Sequence, residues 1–346
     1  MLTAFAAFVL ATAHPDDAIR LIEVKAPGPA QSLSESGHEW TLGPFDPGFE
    51  WDELVPSWNV ENADKTAFRL QAGLSTSSGS PDRWYNFGVW SLAPSKPRMS
   101  AKDVKDTHAE VQTDTLVTAR PMRKVWIKVG LSGPEPKFPL LTLSFRNRKA
   151  KTVAEVGLKK VWGKTIDVPT RAQMNYENGG VLCSPTCISM LLWHWSKVLE
   201  KPEMNHDVPV VAAGVFDPNW PGTGNWPFNT AYAGALPGMR AYVARFGSVR
   251  EIEEWINADI PIVASVSYAM LKGAPEKAAN DGHLVIIVGF DQEGNPVIND
   301  PGRSDVRQTY KRTDFELAWR TSGNTVYVVY PTTLKPPDNY RAHWLN

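Results

Sequence analysis

The chain has 346 residues, more than a single hydrophobic core usually holds, so two domains are expected. Hydrophobic residues make up 42% and charged residues 21%, as in ordinary soluble globular proteins. The formal net charge of -1, without a long basic run, argues against a nucleic-acid-binding protein. Fourteen Trp and 28 Pro favour loop-rich β structure over a helical bundle.

The first residues have the composition of a targeting segment. Leu2–Ala13 is nearly all apolar or small, and Ala11-Thr12-Ala13 fits a small-residue cleavage site. The run is too short for a transmembrane helix, which needs roughly 20 residues, and no Lys or Arg precedes it. We expect a signal peptide over residues 1–13, hence a secreted or cell-envelope protein with no membrane span after cleavage. The alternative is a buried first strand or helix.

A linker is expected over residues 14–39, followed by a β-sandwich domain of unknown role over residues 40–150. The linker segment is rich in Pro, Ser and Gly and shows no clear periodicity. In the second segment, apolar and polar residues alternate in several runs separated by turn residues, with no long helical pattern. The clearest runs are Phe68–Leu74, Val125–Leu131 and Leu141–Phe145.

A second domain, of α+β class, is expected over residues 165–335. Ser184–Lys201 is predicted to form a helix that Pro202 ends, and Arg250–Ala258 a short amphipathic one. Ile260–Tyr268 is predicted to be a buried strand, and Leu284–Phe290 to form a hairpin with Val297–Asn299.

Cys183 stands at the predicted start of the long helix, where a catalytic thiolate would be stabilised by the helix dipole and free amide groups. Asn178-Gly179-Gly180 allows a sharp turn into the helix. The alternative is a buried structural cysteine. Cys187 lies one turn later, where a disulfide would distort the helix. Two cysteines without a second pair give no zinc site, so neither a metal nor a cofactor is expected.

His283 is the candidate base, because it follows Asp281-Gly282 and begins an apolar strand. Clefts often form at the ends of strands, so the imidazole would lie beside one. The alternative is a surface-loop histidine. His194 is on about the same face of the long helix as Cys183, but its position eleven residues later puts it roughly 16 Å away, too far for proton transfer.

Asp300 is the candidate group to orient His283, since a carboxylate on the other ring nitrogen fixes the tautomer and stabilises the imidazolium. The hairpin register leaves its position open. A turn centred on Glu293-Gly294 pairs Asp300 with Ile287, four residues from His283 on the same face. A turn centred on Asp291-Gln292 opposes His283 and Asp300 directly, and a β-bulge could also close the gap. Asp300 capping a turn is the structural alternative.

Two amide side chains complete the candidate set. Gln173, ten residues before Cys183, could join the Cys183 backbone N–H in an oxyanion hole, unless it is an ordinary surface residue. Asn299 is the substitute for Asp300, because an amide carbonyl can also orient an imidazole.

The motifs around these residues resemble the peptidase-like proteins of cysteine peptidase family 39. The family includes the bacteriocin-processing, double-glycine-leader peptidases and has a papain-like fold. The resemblance covers about Thr170 to Pro331. It is carried by Gln173, Asn178-Gly179-Gly180, Cys183-Ser184-Pro185-Thr186, Gly282-His283-Leu284-Val285 and Asn299-Asp300-Pro301.

This resemblance implies a papain-like domain in which a long helix packs on an antiparallel sheet. It also implies that Cys183 is the nucleophile, His283 the base, Asp300 the orienting residue and Gln173 the oxyanion donor. The family's usual glycine after the nucleophile is Ser184 here, and no transporter segment follows, so export-coupled leader processing is not supported.

Two functions follow as hypotheses. The first is a secreted bacterial cysteine peptidase or amidase that acts on a peptide or amide through a thioester acyl-enzyme, with acyl transfer to an amine as a variant. The second is a non-catalytic binding protein for glycan or protein, with an inactive peptidase-like domain and possible cell-wall contact through the N-terminal domain. Four tryptophans could form a sugar platform or belong to the core: Trp51, Trp58, Trp84 and Trp90.

Overall fold

The computed structural model describes residues 18–25, 31–34, 37–77, 79–133, 140–151, 155–279 and 281–346. Within these residues the chain forms three antiparallel sheets and six α-helices. The predicted α+β class is confirmed, with a β-rich N-terminal half and a helical layer confined to the second half.

The N-terminal half contains two sheets. Strand order is β1-β11-β4-β9-β8 in the five-stranded sheet and β2-β3-β10-β5-β6-β7 in the six-stranded sheet. Aromatic side chains of the two sheets meet, as where the Trp58 and Phe68 rings lie 4.7 Å apart. The strands are β1 (Ile19–Glu23), β2 (Gln31–Ser34), β3 (Gly37–Phe45), β4 (Trp51–Asn59), β5 (Ala67–Leu74), β6 (Arg83–Trp90), β7 (Met99–Ser100), β8 (Ala109–Gln112), β9 (Thr115–Met122), β10 (Val125–Ser132) and β11 (Leu140–Arg146).

The C-terminal half is built on a six-stranded sheet of order β12-β17-β13-β14-β15-β16. The long helix α1 packs on it, and the Trp195 indole donates a hydrogen bond to the Val329 carbonyl of the last strand. The helices are α1 (Cys183–Val198), α2 (Val208–Val215), α3 (Trp226–Gly234), α4 (Val249–Asn257), α5 (Tyr268–Leu271) and α6 (Arg312–Arg320). The strands are β12 (Met239–Arg245), β13 (Ile262–Ser267), β14 (Gly282–Phe290), β15 (Pro296–Asn299), β16 (Arg307–Thr309) and β17 (Thr325–Pro331).

Polar contacts join the two halves. The Asn59 amide at the end of β4 donates to the Ala241 carbonyl of β12 at 2.6 Å and accepts from the Ala241 N–H at 3.1 Å. The Ser57 hydroxyl accepts from Val243 N–H at 2.9 Å. These bonds satisfy backbone groups that the contact between β4 and β12 buries.

The predicted linker over residues 14–39 is wrong where the structure describes it. Ile19–Glu23 forms β1, which pairs with β11, and Gln31–Ser34 forms β2, which pairs with β3. Because its pairing partner β11 lies far along the chain, no local pattern in the sequence predicts β1. The predicted signal peptide over residues 1–13 lies outside the described residues, and the secreted location stays a prediction.

The helices of the described residues are all too short or too polar to cross a bilayer.

The proposed tryptophan platform is not present as a group. Trp51, Trp58 and Trp90 are buried in the N-terminal core, at 0%, 3% and 0% exposure. Only Trp84 among the four is partly exposed. The reason is that β4 is buried along almost its whole length and β6 ends in the core at Trp90.

Candidate active site

Cys183 is the first residue of α1 and is partly exposed. The chain enters the helix through Asn178, which has a left-handed φ of 57°, and a short 3-10 turn at Gly179–Val181. A Cβ on Gly179 would lie 2.3 Å from the Gln173 carbonyl oxygen, so the close approach of these two loops requires glycine. The turn places the thiol at the positive end of the helix.

His283 lies near the start of β14, and Asp300 follows the last residue of β15. Near the hairpin turn Phe290 pairs with Pro296, but beyond a bulge Ile286 pairs with Asn299. Continuing that register, Asp300 lies opposite Val285, diagonal to His283 on one face of the sheet. Without the bulge Asp300 would lie on the opposite face. Neither simple turn register is therefore correct, and the bulge is what brings the pair together.

The His283 imidazole and the Asp300 carboxylate are hydrogen-bonded, with Nε2 and Oδ1 2.7 Å apart. The carboxylate is fully buried and also accepts from the Tyr310 hydroxyl at 2.5 Å and from Gly302 N–H at 2.9 Å. Burial opposes ionisation, but these bonds and the charge of His283 lower the pKa of Asp300. Because the carboxylate is ionised, Nε2 carries the proton, and Nδ1 is the nitrogen left for Cys183.

Asn299 cannot replace Asp300 as the group that orients His283, because side chains alternate between the two faces along β15. The Asn299 side chain points the other way, where it donates to the Val168 carbonyl at 3.1 Å and accepts from Arg307 at 3.0 Å. Asn299 therefore holds the segment before Gln173 rather than the imidazole.

The Cys183 thiol and the His283 imidazole interact, and each shifts the pKa of the other. Burial would raise the pKa of Cys183, but the bond to His283, its charge, and the backbone N–H groups of Leu284 and Ser184 lower it overall. Burial would lower the pKa of His283, but Asp300 and Cys183 raise it to about 9. Both shifts favour the thiolate–imidazolium form of the pair over the neutral form.

Two tyrosines complete the surroundings of the imidazole, and no motif in the sequence indicates either of them. The Tyr268 ring lies 4.3 Å from the His283 ring, centroid to centroid, and Tyr310 holds Asp300 as described. Tyr310 directly follows the short edge strand β16, and Tyr268 begins the one-turn helix α5. Alternation of apolar and polar residues over 306–310 could have indicated a strand, but a strand as short as the three residues of β16 gives too weak a periodic signal.

Gln173 is buried and bridges two loops of the site. Its side-chain Nε2 donates to the Gly179 carbonyl at 2.7 Å, and its backbone N–H donates to Pro301 carbonyl at 2.8 Å. One of the two amide N–H bonds is therefore committed to the loop before Cys183, and the second is left for a substrate oxygen. The structure thus brings Cys183, His283 and Asp300 into one chain of contacts, with Gln173 between the loops that flank them. The oxyanion role of Gln173 stays a prediction.

Comparisons with known proteins give two family models and one solved structure that match the chain. Residues 165–327 match the model of the peptidase C39-like family, and residues 22–140 match that of the peptidase C39 N-terminal domain. Curated proteins give no match. A crystal structure of a Bacillus anthracis protein described as a C39-like peptidase aligns at 17% identity over 54% of this chain and 100% of that chain, with a TM-score of 0.38. Residues 165–327 therefore form a domain of the peptidase C39-like family, preceded by a peptidase C39 N-terminal domain over residues 22–140.

Proposed function

We propose that the protein is a cysteine peptidase or amidase that cleaves its substrate through a thioester acyl-enzyme. The observation that carries the proposal is that one imidazole, that of His283, interacts with the Cys183 thiol and is hydrogen-bonded to the buried Asp300 carboxylate. A nucleophile, a base that can protonate the leaving group, and a group that orients the base are the parts that acyl transfer requires.

In the acylation step, the Cys183 thiolate attacks the carbonyl carbon of a scissile amide. The negative charge moves to the carbonyl oxygen, where the second Gln173 N–H and the N–H groups at the start of α1 can donate hydrogen bonds. The His283 imidazolium then gives its Nδ1 proton to the leaving nitrogen, the carbon–nitrogen bond breaks, and a thioester remains on Cys183.

In the deacylation step, the neutral His283 imidazole takes a proton from water as the oxygen attacks the thioester carbon. The carbon–sulfur bond breaks, the acid product leaves, and the thiolate–imidazolium pair is restored. Asp300 keeps the imidazole in one tautomer throughout, because its carboxylate accepts a hydrogen bond from Nε2–H in every stage.

The test uses an activated acyl donor, since the natural substrate is unknown. With p-nitrophenyl acetate, we expect release of p-nitrophenolate and an acetyl group on Cys183 that mass spectrometry locates and that hydroxylamine removes. A Cys183→Ala variant should lose both, and Cys187→Ala should retain both. Acetylation of another residue, or no release by folded protein, would refute the proposal in favour of a non-catalytic binding protein.

A further inference from the structure

The outer face of the six-stranded N-terminal sheet forms a cleft of about 730 Å³, a size typical of ligand sites. We propose that this face binds an acidic oligosaccharide. The proposal does not depend on the chemistry of Cys183. The cleft is bordered by strand residues, by the segment after β7 and by Asn219 of the C-terminal half. The lining residues used below are Glu39, Arg69, Gln71, Asn86, Lys102 and Lys128.

Strand register arranges these side chains in rows. Gly130 of β10 pairs with Glu39 on one side and Arg69 on the other, and Lys128 pairs with Gln71. Residues paired in antiparallel strands share a face, while their neighbours Ile127, Val129 and Leu131 point to the core at 0%, 0% and 1% exposure. A Cβ on Gly130 would meet only the Arg69 Cβ, at 3.7 Å, so the space above it is open. The cleft floor is thus open at the glycine and polar around it.

An aromatic row adjoins the cleft on the same face. Trp126 pairs with Gly73, which pairs in turn with Trp84, and both tryptophans are partly exposed. A Cβ on Gly73 would lie 2.9 Å from the Trp84 ring, so the glycine lets the indole lie flat over the strand. Lys128 Nζ stands 4.6 Å from the centroid of that ring. The partly exposed indole rings offer an apolar surface to the C–H faces of sugar rings, next to polar groups that can bind hydroxyls.

The charges of the cleft favour an acidic ligand. Arg69 is exposed and makes no ion pair within the described residues, and neither does Lys102. Lys128 approaches the carboxylate of Glu39 only to 4.0 Å. Three cations therefore stand against one carboxylate, and a guanidinium matches a sugar carboxylate in a two-bond geometry. Amides of Gln71 and Asn86 supply donors and acceptors for hydroxyl groups.

The proposal is tested with the full chain carrying Cys183→Ala, so that no cleavage interferes. Titration calorimetry measures binding of galacturonic acid and hyaluronan oligomers, of neutral malto-oligomers, and of polyglutamate as an acidic probe without sugar rings. We expect an acidic oligosaccharide to bind and the neutral and peptide probes to bind much more weakly. Arg69→Gln should weaken binding about tenfold or more, because a charge-assisted contact is lost. Trp84→Ala should also weaken it.

The matched control is Arg120→Gln, an exposed arginine on the five-stranded sheet, which should leave binding unchanged. Circular dichroism checks that each variant is folded. Failure of both acidic oligosaccharides to bind overturns the proposal. Polyglutamate binding as tightly as the acidic sugars, with no effect of Trp84→Ala, overturns it as well, since the face would then be a simple anion-binding patch.

Discussion

Cys183 and Cys187 are one helical turn apart on α1, yet their surroundings have opposite effects on the thiol. Cys183 has its pKa lowered by His283 and backbone N–H groups, which outweigh burial. Cys187 is fully buried, donates to the Leu284 carbonyl at 3.3 Å, and has its pKa raised by burial and by the charge of Cys183. Proximity on one helix therefore does not give equal reactivity, because the partners of each sulfur differ.

This difference predicts selective alkylation. Iodoacetamide at pH 6 to 7 should modify Cys183 at least about tenfold faster than Cys187, since only the thiolate reacts. Peptide mass spectrometry of samples quenched over time measures both rates. Cys187→Ala is the control and should leave the fast phase intact. Equal rates at the two sulfurs in folded protein would contradict a thiolate at Cys183.

The Asp300 carboxylate sets the pH range of the pair. The His283 imidazolium, with its pKa raised to about 9, loses its proton as pH rises through that value, so hydrolysis should fall above pH 9. Asp300→Asn removes the charge that stabilises the imidazolium. The pKa of His283 should then fall, and that of Cys183 should rise because its cationic partner is weakened. The pH range of high activity should therefore narrow from both sides.

Hydrolysis of p-nitrophenyl acetate, followed between pH 4 and 11, measures this range. Asn299→Ala serves as the control, because Asn299 contacts Val168 and Arg307 and not the imidazole. Its profile should keep the wild-type limits. An Asp300→Asn profile that coincides with the wild type would show that Asp300 does not set the titration of His283.

The residue types of the site could be predicted from the sequence, but part of their arrangement could not. Cys183 is marked by glycines before it and a helix after it, and His283 by the strand that follows. Tyr268 and Tyr310 had no such markers, since each acquires its role only when α5 and β16 fold against β14 and β15. Long-range packing of this kind leaves no periodic trace in the local sequence.

At the level of elements, the bulge in β14 decides the face on which Asp300 lies. Ile287 pairs with Ile298 and Gly289 with Val297, so Val288 is the extra residue. Only glycine fits at position 289, because another chain segment crosses the strand there and a Cβ would lie 2.1 Å from the Lys164 carbonyl oxygen. The crossing segment also bonds to the strand, through Ile166 N–H and the Val288 carbonyl at 2.7 Å. The bulge is thus held from outside the hairpin.

Gly289→Ala should accordingly damage both stability and activity. The added methyl group must displace the 164–165 backbone, which costs about 2 kcal/mol or more, and a shifted strand moves His283 and Asp300 apart. Hydrolysis should fall at least about tenfold. Urea unfolding and acetate-ester hydrolysis measure the two effects.

The same strand offers a matched control in Gly282. A Cβ on Gly282 meets nothing within 4 Å, so Gly282→Ala should change neither quantity appreciably. A Gly289→Ala protein with wild-type stability and activity would show that the bulge does not hold the pair in place.

The sequence predicts strands best where alternation is strict and a core lies on one side. The run Val125–Leu131 corresponds to β10 (Val125–Ser132), and the predicted helix Ser184–Lys201 corresponds to α1 (Cys183–Val198). The sequence does not determine the register of the hairpin between β14 and β15, because that register depends on the bulge. The bulge in turn depends on a segment more than a hundred residues earlier. Pairing over that distance cannot be inferred from local periodicity.

For the whole molecule, a buried ion pair links the two halves. Glu53 of β4 bonds the Arg245 guanidinium of β12, and it also bonds Arg146 at 3.2 Å. Arg245 is 2% exposed and Glu53 14%. Burial opposes ionisation of Glu53, but Arg245 and then Arg146 lower its pKa below the ordinary 4.5. The pair is therefore ionised in the folded protein and has little access to water.

Glu53→Gln should destabilise the whole chain, because it leaves the Arg245 charge buried without its partner, at a cost of about 3 kcal/mol. The folded-state pKa of Glu53 is depressed, so its contribution is present above pH 4.5 and is lost as pH falls through the folded value. The difference in the free energy of unfolding between variant and wild type, measured in urea, should thus be largest near neutral pH and shrink towards pH 3.

Since the pair spans both halves, fluorescence of the N-terminal tryptophans and loss of ester hydrolysis should report one shifted transition. Glu50→Gln, at an exposed position, is the control and should change the free energy of unfolding by less than about 0.5 kcal/mol. If only the N-terminal signal shifts while hydrolysis keeps its wild-type midpoint, the two halves unfold independently and the pair does not couple them.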